Sequence, residues 1–590
     1  MLTELYQYAL DKGLAARPGF KLKRLKAYLM LSSHGEFLGI NLRDKKAEPV
    51  YAPDVGAAAN GTRYCNPLIE KAKIPLGIVE DEKSDKNIPT KKAFFLSMLA
   101  SGSLYEHRFG IIAQALENES TRQSMVQALA EQKLKSVDPV GFMVDGFPIE
   151  RSQLYLPWWE EFRKQFVPKQ KGNLPRCLIT GQLSPALATV PKVSGLIDVG
   201  GHTAGDAFLC FDKDAFQSYG FKKSANAPVS EEAMTAVNAA LTQLIAEAPV
   251  LGNAKIVHWY SSEITPEEDL LPRLMDAEMD DEEPEEDDLK KTLATAGAKQ
   301  VLTSVLSGIR PEALHAKYYI LPLSGASGRM MVRGWYEGSY ENLHRNIIQW
   351  FDDLTLVSWN GKSQTRPPKL KALCIRLLKP GGSSQKVFSR LDEELPNLLG
   401  RLLYAIIQGT ALPDDIPPRV LAWIRSEMLR TDENTSKYHF EKETMAFQLL
   451  KAWLCRKQRL RGDEHPMEQA CTGASRGVAY HCGQLLAVYS AIQQNAMPDV
   501  NVGVAERYYT AASANPAFAI GKLAQLSQHH LRNLEGGLAV YYQRKLSEIY
   551  VKIGDSKIPA TMTMEQQTEF ALGFYQQRAA LYGPSDAEKE

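Results

Sequence analysis

The chain has 590 residues, of which 44% are hydrophobic and 23% charged, so it can form several cores and is too apolar to be disordered. Its 69 basic residues are balanced by 69 acidic ones, which excludes a uniformly basic nucleic-acid coat and leaves local patches as the electrostatic footprint. The seven cysteines form no CxxC pair, so neither a zinc site nor a disulfide framework is predicted. No signal-peptide core and no run of about 18 apolar residues is present, and we expect a cytoplasmic protein.

The first half of the chain mixes strand-like and helical patterns. Residues 28–39 predict two strands around a Ser-His-Gly turn. Residues 227–247 predict a helix with acidic residues in its first turn, where they suit the helix dipole. We therefore expect an α+β fold, with an N-terminal region over residues 1–170 and a middle region over residues 171–275.

An acidic run follows this middle region. Residues 276–288 read DAEMDDEEPEEDD, a composition that cannot bury a core and repels itself. We interpret residues 276–290 as a flexible, solvated loop. The competing interpretation is a segment that mimics DNA or binds basic partners.

Residues 291–394 predict a further α+β region. Within it, Tyr318–Leu323 and Met330–Trp335 predict two strands joined by the small-residue turn SGASG. Beyond residue 395 apolar residues recur at helical spacing, which predicts a helical connector over residues 395–466 and a helical bundle over residues 467–590.

Several helix boundaries are predicted inside the bundle. Asn515 and Pro516 have the pattern of an N-cap and a first helical residue, and Gly536 with Gly537 is expected to end that helix. Thr563 and Gln566 predict a capping box at the start of the last helix. One apolar helix face is formed by Leu485, Leu486, Tyr489 and Ile492.

The sequence lacks the common catalytic motifs, which favours a protein without enzymatic activity. The sequence contains no GxxxxGK[ST] loop, HExxH helix or GxSxG elbow, and Gly200, Gly201 and Gly205 lack the GxGxxG spacing. His529 and His530 are adjacent, so on a helix they point about 100° apart and do not form a metal-binding pair. We predict no metal and no cofactor.

Clusters of basic residues are the more informative signal, because such groups neutralise phosphates independently of sequence. A solvated surface is the competing interpretation of each cluster. Residues 57–73 add Gly, Asn and Thr donors beside cations, a composition suited to lining a groove. The clusters are Lys21, Lys23, Arg24 and Lys26; Arg63, Lys71 and Lys73; Lys369, Lys371, Arg376 and Lys379; and Lys451, Arg456, Lys457, Arg459 and Arg461.

Segments along nearly the whole chain resemble the large-subunit family of the type I-C CRISPR Cascade effector. The most specific are CLITGQLSPALATVPKVSGL at residues 177–196 and FDKDAFQSYGFKKSANAPVSEEA at residues 211–233. YYILPLSGASGRMMVRGW at 318–335 and LLGRLLYAIIQGTALP at 398–413 follow in the expected order. YHCGQLLAVYSAIQ, RYYTAASANPA, LSQHHL and EQQTEFALGFYQQR complete the series between residues 480 and 578.

The resemblance implies a non-catalytic subunit of an RNA-guided antiviral complex. Its partners would be a CRISPR RNA with backbone subunits, a subunit at the RNA 5′ end, and helical small-subunit copies. It would recognise the protospacer-adjacent motif in target double-stranded DNA, help unwind it, and hold the displaced strand in the R-loop. RNA pairing would read the remaining sequence, and a recruited helicase-nuclease would cleave.

Two departures from the family bear on its DNA-binding residues. The stretch NPLIEKAKIPLG at residues 66–77 differs from the family's loop, so its motif-reading residues do not transfer by identity. In the turn GASGR at residues 325–329 the family's Asn is missing but Arg329 is retained, and we predict that Arg329 approaches DNA or an adjoining subunit. The residues predicted to line the duplex are Asn60, Thr62, Arg63, Asn66, Lys71 and Lys73. The backbone-contacting cations are predicted to be Lys21, Lys23, Arg24, Lys26, Lys369, Lys371, Lys451, Arg456, Lys457 and Arg459.

The C-terminal bundle resembles the small subunit of such complexes, which this family can produce from an internal start. Met467 is the predicted start, because a start at Met497 would delete the helix that carries Leu485 and Ile492. Two other functions stay open. One is a structural or RNA-binding scaffold without DNA readout, and the other is a metal-dependent nuclease whose site assembles only in the fold.

Overall fold

The computed structural model describes most of the chain and divides it into two compact units. The first unit is Met1–Glu247 with Ser324–Met331, and the second is Ala248–Leu323 with Val332–Glu590. The predicted fold class is confirmed, since mixed α/β regions precede a run of helices. The predicted acidic loop 276–290 lies outside the described residues. The described residues are 1–14, 19–44, 50–166, 174–187, 189–266, 268–275, 315–380, 386–428, 443–463, 467–468, 476–498 and 502–582.

The first unit combines two sheets with helices. Its strands are β1 (Phe20–Lys23), β2 (Ala27–Leu31), β3 (Phe37–Leu42), β4 (Val50–Pro53), β5 (Glu70–Lys71), β6 (Pro139–Val144) and β7 (Phe147–Pro148). Its helices are α1 (Leu2–Asp11), α2 (Lys73–Leu76), α3 (Ile88–Gly102), α4 (His107–Glu117), α5 (Glu119–Glu131), α6 (Leu156–Phe162) and α7 (Glu231–Glu247). The larger sheet has the order β3-β2-β6-β5 with β7 beside β6, and β1 pairs with β4.

The core of the first unit lies between the larger sheet and its helices. β2 and β6 are parallel neighbours, and the long crossover that such a pair requires carries α2 to α5. Leu29 of β2 and Phe142 of β6 are buried in one cluster with Phe95 of α3 and Phe109 of α4. β2 and β3 pair antiparallel, which confirms the strand–turn–strand prediction for residues 28–39.

The two segments most specific for the family resemblance meet at the start of α7. The backbone N–H of Leu178 donates to the Pro228 carbonyl at 2.9 Å, and that of Ser230 donates to Cys177 Sγ at 3.3 Å. Ser230 Oγ in turn accepts a hydrogen bond from the N–H of Ala233, as an N-cap does. The helix predicted over residues 227–247 therefore begins at Glu231.

The second unit contains the remaining helices and strands, except for the hairpin segment Ser324–Met331, which belongs to the first unit. The strands are β8 (Val250–Leu251), β9 (Ala254–Tyr260), β10 (Lys317–Ala326), β11 (Arg329–Val332) and β12 (Tyr336–Ser339). They form one sheet in the order β11-β10-β9-β8, with β12 beside β10. The helices are α8 (Leu270–Met275), α9 (Tyr340–Leu354), α10 (Leu370–Cys374), α11 (Val387–Glu394), α12 (Pro396–Gln408), α13 (Ile416–Met428), α14 (Met445–Leu460), α15 (Val478–Ala496), α16 (Val504–Ala514), α17 (Pro516–Arg532), α18 (Gly536–Ile553) and α19 (Met564–Tyr582).

The hairpin of β10 and β11 differs from its prediction in length. β10 runs three residues past the predicted end at Leu323, and β11 ends at Val332. Only Ser327 and Gly328 form the turn, with φ of 51° and 81°. Positive φ at both central residues is what a two-residue hairpin needs to match the twist of its strands.

α15 is the central helix of the C-terminal bundle. It contacts α16, α17, α18 and α19, and the predicted apolar face from Leu485 to Ile492 is buried. At the crossing with α19, a Cβ on Gly483 would lie 2.0 Å from the Phe570 carbonyl oxygen, and one on Gly573 would lie 2.0 Å from the Tyr480 carbonyl oxygen. The two glycines therefore set how closely α15 and α19 approach.

The predicted helix boundaries in the bundle have mixed outcomes. Pro516 is the first residue of α17, and the predicted capping box is confirmed, because Thr563 N–H donates to Gln566 Oε1 at 2.9 Å and Gln566 N–H to Thr563 Oγ1 at 3.3 Å. The prediction that Gly536 and Gly537 end α17 is wrong. α17 ends at Arg532, and Gly536 is the first residue of α18.

Replacing Gly483 by alanine is expected to destabilise the protein by about 3 kcal/mol, because the new methyl group would collide with the backbone of α19. The measurement is the free energy of unfolding in urea. Gly521→Ala is the control, since Gly521 is exposed on α17 with open space at its Cβ and should gain about 1 kcal/mol of helix propensity. Equal effects of the two changes would contradict the close crossing.

Candidate nucleic-acid interface

The loop between β4 and β5 is braced from within the first unit. Asn66 uses both ends of its amide: Oδ1 accepts from the Val55 N–H at 3.2 Å, and Nδ2 donates to Glu70 Oε2 at 3.2 Å. The Tyr64 ring packs against Phe94 with centroids 5.0 Å apart. Lys91 Nζ donates to a loop carbonyl, that of Ala59, at 2.8 Å. The loop therefore has a defined shape.

The six residues predicted to contact DNA on and after this loop differ in their exposure and partners. Thr62, Arg63 and Lys71 are exposed. The side-chain amide of Asn66 forms the hydrogen bonds that hold the loop together. The side chain of Asn60 lies outside the part that the structure describes, although its backbone ends a short 3₁₀ turn at Gly56–Asn60.

Lys73 has a structural role. Its Nζ lies 2.5 Å from Oδ1 of Asp85, whose side chain is buried. The hydrogen bond from Lys73 lowers the pKa of Asp85, with help from the backbone N–H of Glu80. Because a buried carboxylate requires this cation, we exclude Lys73 from the proposed DNA-contacting surface.

The amino-terminal basic cluster lies on and beside β1. Lys21, Arg24 and Lys26 are exposed, whereas Lys23 is partly buried, with Nζ 2.9 Å from the Pro53 carbonyl oxygen and 3.3 Å from Asp54. Burial lowers the pKa of Lys23 despite this carboxylate. Lys23 therefore stabilises the β1–β4 pair and is not a free surface charge.

Lys26 and Lys71 lie at one end of the larger sheet. The N–H of Lys26 donates to the Pro139 carbonyl at 3.0 Å, and Lys71 is the cross-strand partner of Pro139 on the other side. Two strand spacings separate them, or roughly 10 Å. Asp138 lies 3.3 Å from Lys26 Nζ and offsets part of the charge. This sheet end thus presents two cations from segments far apart in sequence.

The prediction for Arg329 concerns the hairpin turn that belongs to the first unit. Its side chain is 44% exposed, lies 5.4 Å above the ring of Phe216, and approaches Asp212 at 3.9 Å. The carbonyl of Ala207 accepts the N–H of Met330, and the N–H of Ala207 donates to the Gly328 carbonyl, so Ala207 lies beside Arg329 in β11. Arg329 is accessible to a partner, with an aromatic ring beneath it.

Part of the predicted cationic surface is instead interior. Lys371 pairs with Asp392 at 2.6 Å, Lys451 donates to the Asp353 carbonyl at 3.0 Å, and Arg456 donates to the Ala405 and Thr410 carbonyls. All three side chains are buried. Their hydrogen bonds assign them to the core of the second unit, and we exclude them from the proposed DNA-contacting surface.

Three more of the predicted backbone-contacting cations also have partners within the fold. Arg459 contacts both carboxylate oxygens of Asp353, at 3.1 and 2.5 Å. Lys457 lies 3.2 Å from Glu565 and 4.4 Å from the Trp453 ring centroid. Lys369 is partly buried and has an interaction partner. The composition of the first turns of α14 could have indicated burial, because apolar residues flank Lys451 on both sides from Ala446 to Cys455.

An exposed aromatic and basic segment at Ser218–Asn226, which we call the Tyr219 loop, contains none of the predicted site residues. Tyr219, Phe221, Lys222 and Lys223 all face solvent there. The signal that could have identified it is the run SYGFKK, in which aromatic and basic residues surround a glycine without any aliphatic side chain.

A His–Asp–Tyr cluster tests the enzyme interpretation most directly. His258 Nε2 lies 2.9 Å from Asp269 Oδ2, and the Tyr260 hydroxyl donates to Oδ1 at 2.6 Å. Although burial alone would raise the pKa of Asp269, the hydrogen bonds from His258 and Tyr260 lower it. Asp269 also caps α8 through the N–H of Leu271, so the cluster joins β9 to α8. Among the described residues, no group of three His, Cys, Asp or Glu side chains could hold a metal.

Replacing Asp353 by asparagine is expected to cost about 3 to 5 kcal/mol of stability, because Arg456 and Arg459 would lose the buried charge that offsets their own. Asp352→Asn is the matched control. Partial burial and the charge of Asp353 raise the pKa of Asp352, so its neutralisation should leave stability unchanged or increased. Urea unfolding measures both, and equal stability of the two variants would contradict the structural role of the cluster.

Comparison with known proteins agrees with the signature segments. The sequence matches the model of the family described as CRISPR-associated protein (Cas_Csd1) over residues 2–582, a range that includes both units. No curated protein was found to match it. None of the described helices combines the length and hydropathy that crossing a membrane requires. The chain therefore belongs to the CRISPR-associated protein (Cas_Csd1) family.

Proposed function

We propose that this chain is the non-catalytic large subunit of a type I-C Cascade complex and that its first unit reads the motif flanking the target in duplex DNA. It helps open the duplex and stabilises the R-loop before a helicase-nuclease is recruited. Its partners are the CRISPR RNA with the backbone subunits, the subunit at the RNA 5′ end, and small-subunit copies. Membership of the family supports a role within a CRISPR complex.

The braced loop between β4 and β5 is the observation that supports contact with duplex DNA. A guanidinium and a hydroxyl are displayed side by side at Arg63 and Thr62, on a loop whose shape is held by Asn66. Arg can donate two hydrogen bonds to guanine in the major groove, and Thr can donate to or accept from a base edge. Preorganisation lowers the entropy cost of binding, so a rigid loop suits the reading of a short motif.

The sheet end with Lys26 and Lys71 supports a second part of this function. These exposed cations carry no base specificity, but they can position a duplex through its phosphates. Exposed Lys21 and Arg24 extend the basic character of the same unit. Motif reading and backbone positioning would therefore be separate contacts, made by different residues.

The internal product predicted to start at Met467 stays part of the proposal. In the full-length chain Met467 is buried, and its N–H donates to Gln458 at 3.0 Å. α19 also packs on α14, where the rings of Tyr575 and Phe447 are 4.6 Å apart. A product that begins at Met467 lacks α14, so the Tyr575 face of α19 would need another cover in the assembled complex.

Arg63→Ala and Lys71→Ala are expected to weaken duplex binding in different ways. Loss of Arg63 should cost about 1 to 3 kcal/mol on the preferred flank and reduce the preference itself. Loss of Lys71 should weaken binding to all flanks equally and lower the slope of log K against log salt by about 1. Titrations of each variant complex at two salt concentrations measure both effects.

Lys522→Ala, which removes an exposed cation from α17 of the second unit, is the control for lost net charge. If all three variants lose the same affinity on every flank, the loop does not read the motif.

The central test is binding of the reconstituted complex, with and without this chain, to targets with randomised flanking bases at a stated salt concentration. We expect a flank preference only when the chain is present. If the complex binds every target equally well with and without this chain, the chain is instead a scaffold, and neighbouring subunits contact the DNA. Metal-dependent cleavage by the purified chain would instead establish the nuclease function.

A further inference from the structure

The Tyr219 loop (Ser218–Asn226) has a shape that its own polar groups determine. Asn226 accepts the N–H of Ser218 at 2.9 Å, and its Nδ2 donates to the carbonyls of Phe221 at 3.1 Å and Lys223 at 2.9 Å. One amide thus joins both ends of the loop and two points within it. Ser224 is buried beneath, so the loop is anchored to the first unit.

Aromatic rings on this anchored loop face water. Tyr219 is 97% exposed and Phe221 is 52% exposed, with Phe216 just before the loop at 42%. Clustered exposed rings are unusual on a soluble protein surface and indicate a binding site. These aromatic side chains therefore do not contribute to the core of the first unit.

The backbone at the ring-bearing position is strained. Tyr219 has φ of +52° and Lys223 has φ of +50°, a region that L side chains rarely adopt. Gly220, which follows Tyr219, has φ of +75° without any side-chain penalty. Strained residues persist where function requires the side chain, and a glycine at residue 219 would relieve the strain but lose the ring.

The charges around these rings are positive. The loop itself contains Lys222 and Lys223 and no acidic residue, and both lysines are exposed. Arg329 lies over the ring of Phe216, at the edge of the same surface. Asp212 and Asp214 precede the loop, and Asp212 lies 3.9 Å from Arg329, so the negative charge is beside the loop and not on it.

We propose that the Tyr219 loop binds single-stranded DNA, with bases stacked on Tyr219 and Phe221 and phosphates held by Lys222 and Lys223. Aromatic rings beside cations form the kind of surface that single strands bind, because each base offers an aromatic face and each phosphate a charge. A duplex cannot use the rings, since its bases are already stacked. Aromatic rings are also enriched at protein–protein interfaces, but lysine is depleted there, so the adjacent Lys222 and Lys223 favour a nucleic-acid strand over a protein partner.

The choice of DNA as the strand rests on the proposed function, in which target opening releases one unpaired DNA strand. The loop is separate from the β4–β5 loop that reads the flank. The first unit would therefore bind the closed duplex through one loop and, after the duplex is opened, the released single strand through the other.

The test is binding of the full chain to a fluorescent oligothymidine strand, compared with a matched duplex and an RNA strand of equal length. Tyr219→Ala should weaken binding of the DNA strand about tenfold, as loss of one stacked base does. Tyr219→Phe should bind like the unchanged protein, because the ring is kept. Replacing Lys222 and Lys223 together by alanine should lower the salt slope by about 1.4, since a single strand loses about 0.7 per phosphate contact.

Two further variants separate a binding role from a structural one. Tyr219→Gly removes the ring and also relieves the strained φ of residue 219. It should weaken binding of the DNA strand as much as Tyr219→Ala does. Because glycine tolerates this φ, that loss would come from the missing ring and not from added backbone strain. Tyr105→Ala removes another half-exposed tyrosine of the same unit and should leave binding unchanged. Thermal unfolding confirms that each variant is folded.

The results that would overturn this proposal differ from those that would overturn the proposed function. Unchanged strand binding in the Tyr219 and lysine variants sinks the loop proposal, even where the complex keeps its flank preference. If the variants bind the DNA strand normally but no longer assemble with the partner subunits, the loop is a protein interface instead. If the loop is needed for binding RNA but not DNA, its ligand is RNA and the proposal is wrong. Loop-dependent DNA binding without any flank preference would leave the loop proposal standing and remove the proposed motif reader.

Discussion

A buried cation must replace its lost hydration with carboxylates or carbonyls, and this requirement decides which cations of the chain can reach a ligand. Arg456, Arg459 and Lys451 converge on Asp353 and on backbone carbonyls near it, and Lys371 is neutralised by Asp392. The balanced formal charge thus conceals two populations of basic residues. One population, which includes Lys23 and Lys73 of the first unit, has partners within the fold. The other, at Lys21, Arg24, Lys26, Arg63 and Lys71, faces solvent on the first unit.

Both proposed ligand-binding loops of the first unit depend on one asparagine amide. Asn66 joins Val55 to Glu70, and Asn226 joins Ser218 to Phe221 and Lys223. An amide can donate and accept at once, so it holds two strands of a loop without adding charge. Each amide therefore shapes its loop without adding a charge of its own beside the exposed cations. Asn66 was predicted to contact DNA, and its amide groups are instead engaged in shaping the surface beside it.

Much of the fold could be predicted because local patterns dominate there. The hairpin of β2 and β3, the helix after Ser230 and the capping box at Thr563 each depend on residues within a few positions of one another. Errors arose where two local signals competed. Gly536 was expected to end α17, but the end at Arg532 leaves the glycine pair free to begin α18, where no neighbouring atom crowds them.

The candidate site could be predicted only in part, since burial depends on contacts across long stretches of sequence. The cations of α14 were interpreted as surface because they are close together in sequence, yet their partners are residues such as Asp353, about a hundred positions earlier. By itself the sequence determined the α+β fold class, the helical C-terminal third and the family resemblance. Only the tertiary structure decided that Lys371, Lys451 and Arg456 are buried, that Lys73 pairs with the buried Asp85, and that the Tyr219 loop is exposed. The reason is that solvation of a charge or a ring is set by neighbours that folding brings together.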